Sequence, residues 1–97
     1  MSQAIWKYAV PVQDMITLMI PRNAQVLTVQ VQHGEPQLWA LVDPDNPPEQ
    51  RTFRLAGTGH VIEGSVNIFS YVGTYQLDDG ALVFHLFELF LPVEASS

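Results

Sequence analysis

QVLTVQVQ, running from Gln25 to Gln32, sets Leu27, Val29 and Val31 in alternation with Thr28, Gln30 and Gln32. A period of two belongs to a strand with one buried and one wet face, because successive side chains of an extended chain leave opposite sides of the backbone. His33-Gly34-Glu35-Pro36 follows with turn chemistry, and Gln37 to Asp43 answers as a return strand, so the two segments are predicted to form a hairpin.

Working outward, strand signals recur about every ten residues between Pro, Gly, Asn and Asp. Ile5 to Val10 and Met15 to Ile20 read as strands closed by Pro11 and Pro21, places where a missing N–H removes no ladder bond. DPDNPPEQ, Asp43 to Gln50, offers no apolar side chain to bury and is expected to be a loop and the mobile part of the molecule. Arg51 to Ala56 reads as a short strand with Phe53 and Leu55 facing in, interrupted by Gly57-Thr58-Gly59-His60. Val66 to Leu77 and Ala81 to Leu91 are apolar strands joined by Asp78-Asp79-Gly80. The last has two apolar faces, Val83 and Phe87 on the side of His85, and Leu82, Phe84, Leu86 and Phe90 on the side of Glu88. Such a strand needs cover on both sides, at the centre of the fold or at a subunit interface. A terminal helix over Ala81 to Leu91 is the alternative, since periodicity does not arbitrate a continuous apolar run. The tail from Glu94 to Ser97 is expected to fray. The pattern predicts an all-β fold, a small antiparallel β-barrel or β-sandwich of about six to seven strands, as a single domain over residues 1–97.

A chain of 97 residues supports one hydrophobic core. It has no cysteine, so neither a disulfide nor a cysteine zinc site adds to its stability. With 47% hydrophobic and only 14% charged residues, it is more apolar than a lone small domain needs, which predicts a homo-oligomer. Ten acids stand against Lys7, Arg22, Arg51 and Arg54, for a net charge of −6. Cations so few and scattered cannot follow a phosphate backbone, so no direct nucleic-acid partner is expected. The opening MSQAIWKYAV lacks the pattern of a signal peptide, and the run from Ala81 to Val93 is too short to span a bilayer. No membrane partner is expected, and a cytoplasmic location is.

Four segments carry a resemblance: Ile-Trp-Lys-Tyr (Ile5 to Tyr8), Gln-Leu-Trp-Ala-Leu-Val-Asp-Pro (Gln37 to Pro44), Arg-Thr-Phe-Arg…Gly-Thr-Gly-His (Arg51 to His60) and Leu-Val-Phe-His-Leu-Phe-Glu (Leu82 to Glu88). In these the chain resembles a family of short phage and prophage proteins of unknown function, over nearly its whole length. The resemblance implies a phage-encoded protein in a host bacterial cytoplasm, and implies no catalysis.

Arg51 to His60 concentrates two arginines, two glycines, two threonines and a histidine. Glycine lets backbone N–H groups approach an anion, and arginine grips carboxylate or phosphate in a fork. A ligand site is therefore expected at Arg51, Arg54, Gly57, Thr58, Gly59 and His60, with Trp39 as an aromatic wall. The competing reading makes Gly-Thr-Gly a turn, His60 its cap, and the arginines ion-pair partners. On a strand Arg51 and Arg54 point to opposite faces, so one of them serves the site. His85 and Glu88, three apart, also diverge on a strand. They are expected to be a buried, hydrogen-bonded structural histidine and an arginine partner. His33 falls in a turn, and no spacing among the histidines suggests a metal. No nucleophile motif is present, so no catalytic residue is assigned and no cofactor is expected.

The expectation is a non-enzymatic phage or prophage accessory protein. It would bind or inhibit a host factor, as an anti-defence protein does, or sequester a small anionic ligand. The alternatives are a small hydrolase or isomerase using His60, His85 and Glu88, and a minor virion structural protein. A pocket with an arginine at its wall would favour sequestration, a broad exposed patch would favour protein binding, and two titratable side chains meeting at a cleft would favour catalysis.

Overall fold

The computed structural model describes residues 2–62 and 69–90, Phe69 by its backbone alone. Strands β1 (Ala4–Ala9), β2 (Met15–Pro21), β3 (Gln25–Gln32), β4 (Glu35–Val42), β5 (Pro48–Gly57), β6 (Phe69–Leu77) and β7 (Leu82–Leu89) follow one another, with a 3-10 turn at Asp78–Gly80 between the last two. The β3–β4 hairpin closes through His33 and Gly34, both at positive φ (52° and 81°), the conformation that matches a two-residue turn to strand twist. Glu35 and Pro36 therefore belong to the return strand.

Every pairing is antiparallel, and the strands divide into two sheets, ordered β1-β4-β3 and β2-β5-β7-β6. The sheets do not join into a closed barrel, so of the two predicted architectures the molecule resembles the sandwich. They come closest where β6 meets β3. A Cβ on Gly73 would stand 2.9 Å from Val29 Cγ1 and 3.7 Å from the Val29 backbone, so any larger residue would force the Val29 side chain to shift. Between the sheets, Ile20, Leu38, Val42, Phe53 and Leu86 are fully buried.

The closing segment is a strand rather than a helix, and β7 lies between β5 and β6. Its Leu86 and Glu88 are buried while Val83, His85, Phe87 and Leu89 face outward, half-buried. Leu27 departs from the sequence alternation: the β3–β4 register shifts between Val26 and Thr28, and the extra residue leaves Leu27 exposed. The predicted start of β6 at Val66 and the frayed tail from Glu94 lie outside the described residues.

Candidate functional site

Arg51 and Arg54 leave opposite faces of β5, and their surroundings differ accordingly. Arg51 points inward. Its Nε and a terminal nitrogen donate to the two oxygens of Glu88 at 2.5 and 3.0 Å, and its other terminal nitrogen donates to the Ala24 carbonyl at 2.9 Å. The hydrogen bond to Glu88 raises the guanidinium above its ordinary pKa. With side chains only 15% and 6% exposed, the pair ties β5 to β7 and to the β2–β3 connection, a structural use of both residues.

Arg54 points outward, between Met15 of β2 and Phe87 of β7 in the sheet register. Its side chain is 18% exposed, yet its ion pair is with the open carboxylate of Asp14 at 3.6 Å, beyond hydrogen-bond reach. A guanidinium half-sunk among apolar neighbours with so loose a partner keeps donors to offer. On this face Met15 beside it, Tyr71 across Phe87 and Met19, further along β2 opposite Gln50, are 50%, 60% and 56% exposed, so the outward face of the four-stranded sheet stands open. Tyr71 stacks at a tilt on Phe87, ring centres 5.6 Å apart.

Next to Arg54 on the same face runs a chain of hydroxyls through an imidazole. Thr58 Oγ1 lies 2.6 Å from His85 Nε2, His85 Nδ1 lies 2.9 Å from Thr74 Oγ1, and Thr74 Oγ1 lies 2.6 Å from the Tyr71 hydroxyl. Thr58 reaches His85 because Gly57–His60 makes a tight turn, with the His60 N–H donating to the Gly57 carbonyl at 3.0 Å and Gly59 at φ 88°. The His60 ring folds over Gly57, where a Cβ would stand 2.9 Å from it. A cleft of about 250 Å³ opens between this turn and the start of β7, lined by Gly57, Thr58, His60 and residues 81–84.

The predicted site is thus divided. Gly57, Thr58, Gly59 and His60 form one corner, and Arg54 shares their sheet face. Arg51 is committed to the inner side. Trp39 lies half-buried in the other sheet, paired with Lys7 and Thr28. His60, His85 and Glu88 do not converge, since Glu88 faces inward with Arg51. Sequence reasoning missed Thr74 and the place of Tyr71, readable there only as an aromatic ring, in this chain of hydroxyls. Thr74 was within reach of counting: from the Leu77–Leu82 pair that flanks the turn, the register runs back to Thr74 opposite His85. Tyr71 was not, because the shift between Tyr71 and Gly73 moves it by a residue. Among the described residues no cluster of three metal-ligating side chains occurs, and no helix is long and apolar enough to cross a membrane.

Fold and site together define a two-sheet antiparallel β protein with an open aromatic and methionine face around a loosely paired arginine. The chain belongs to the DUF7352 family, a domain of unknown function whose model matches residues 1–95. No curated protein and no solved structure matches it.

Proposed function

We propose that the chain is a non-enzymatic accessory protein of a phage or prophage, acting as a homo-oligomer in the host cytoplasm and binding a host protein through the outward face of its four-stranded sheet. One observation carries the reading: Arg54, with only a loose partner of its own, shares the outward sheet face with exposed Met15, Met19 and Tyr71. Aromatic, methionine and arginine side chains are the ones that supply binding energy when a protein surface is covered. Sequestration of a small anion fits less well: the cleft at Gly57–His60 has no arginine in its wall, and in a pocket of about 340 Å³ that does, Arg51 already donates to Glu88 and the Ala24 carbonyl, with Glu49 and Glu88 in the lining to repel an anion. Catalysis by His60, His85 and Glu88 fits less well still, because Glu88 spends its oxygens on Arg51.

The test is infection of a host expressing the chain. Met19→Lys, which places a charge on the open face, should abolish any change in phage plating without lowering the melting temperature, whereas His60→Ala should preserve the effect. Loss of the effect in His60→Ala with retention in Met19→Lys would move the site to the cleft.

A further inference from the structure

The three-stranded sheet has two edges, β1 and β3; β6 closes on β3 where Gly73 meets Val29, whereas β1 pairs with β4 and with no other described strand. The Val10 N–H donates to the Pro36 carbonyl of the facing segment, so by the alternation of an antiparallel ladder Ala4, Trp6 and Tyr8 bond to β4. The backbone groups of Ile5, Lys7 and Ala9 then point away from β4, and no described strand pairs with them. Edge strands usually carry a guard, a proline or an outward lysine. β1 has no proline, and its lysine is turned back across the sheet, where Lys7 Nζ donates to Gln32 Oε1 of β3 at 2.7 Å. Ile5 and Trp6 are 60% and 41% exposed.

We infer that β1 is the seam at which two copies of this chain join, antiparallel and about a two-fold axis at Trp6, turning the two three-stranded sheets into one. The inference rests on the homo-oligomer proposed above and gives it a surface. Three features select a second copy as the occupant. Charge is the first: the chain carries −6 overall, but β1 itself holds a lysine and no acid, so two acidic copies meet along strands that are not negative. Register is the second. Side chains opposite one another in a sheet share a face, so even residues must oppose even ones. A two-fold at Lys7 would set two lysines opposite each other, which is repulsive, whereas a two-fold at Trp6 sets Ile5 against Lys7 of the second copy and Trp6 against Trp6. Hydrogen bonding is the third, because the Trp6 register pairs the free groups of Ile5 with those of Lys7 on the second copy. Trp6 then covers Trp6 in the closer, non-hydrogen-bonded type of pair.

The absence of cysteine makes the test clean. Sedimentation of the wild-type chain at tens of micromolar should give twice the monomer mass. Ile5→Pro removes a donor that faces away from β4, so it should halve that mass and leave the circular dichroism spectrum intact. Trp6→Cys should cross-link to a covalent dimer under mild oxidation, while Thr17→Cys on β2, one edge of the other sheet, should not. A dimer that survives Ile5→Pro, or that cross-links through Thr17→Cys instead, overturns the β1 seam and leaves the oligomer standing. A monomeric wild-type chain overturns both. If Trp6→Cys does not fold, the mass of Ile5→Pro decides.

Discussion

Tyr75 places a phenol 5% exposed in the core, with a hydroxyl that is buried and has no hydrogen-bond partner. Burial pushes its pKa up to about 12. The unfolded chain ionises this group near the ordinary tyrosine value of about 10, so the folded state holds the proton longer. Stability from this group is therefore whole below pH 10 and lost as pH rises toward 12, at up to about 1.4 kcal/mol per pH unit. Urea unfolding from pH 9 to 12 should show that fall in the wild-type chain and a shallower one in Tyr75→Phe. At neutral pH Tyr75→Phe should be neutral or slightly stabilising, since it removes an unsatisfied polar atom. Glu88 poses the opposite case. Glu88→Leu strands the Arg51 charge among buried atoms and should cost about 3–5 kcal/mol, whereas Arg51→Met with Glu88→Leu should recover most of the loss. Denaturation of the single and double variants measures both. That Glu88 partners an arginine was legible in the sequence, because a lone acid in an apolar strand demands a cation. Which arginine it takes depends on the sheet register, which the sequence does not show.

Among the elements, β3 and β4 were legible nearly to the residue, because alternation and a Gly turn are local signals. The sheet partition was not. β1 passes over β2 and β3 to pair with β4, and β2 passes over β3 and β4 to pair with β5, pairings that leave no trace in the pattern of either strand. β7 shows the cost of reading faces without a register. Both its faces are apolar and only one is core: Phe84 packs against Tyr75, ring centres 5.8 Å apart, while Phe87 lies on the open face. Phe53, fully buried in β5, should lose about 3–5 kcal/mol on replacement by Ala, and Phe87→Ala clearly less. Thermal unfolding of the two variants side by side checks the assignment of faces, and equal losses would refute it. At the contact between the sheets, Gly73→Ala drives a methyl into Val29 and should destabilise by about 1–3 kcal/mol, with Val29→Ala restoring part of it.

For the molecule as a whole, the two arginines of β5 separate architecture from recognition. One is locked inward by a carboxylate and a carbonyl, and the other is held outward among methionines and rings with a distant partner. The Arg51–His60 segment was legible as the place where chemistry gathers. Its division between two faces followed from strand geometry, but the open apolar surround of Arg54 comes from β2 and β6, distant in sequence. The most direct test sets unfolding free energy beside phage plating for Arg51→Ala and Arg54→Ala in the same host. Arg51→Ala should lose about 3–5 kcal/mol, because it strands a buried carboxylate. Arg54→Ala should lose at most about 1 kcal/mol, because its partner is solvent-exposed, and should nonetheless abolish the biological effect. An Arg54→Ala protein that retains the full effect, or that unfolds as readily as Arg51→Ala, would contradict the account.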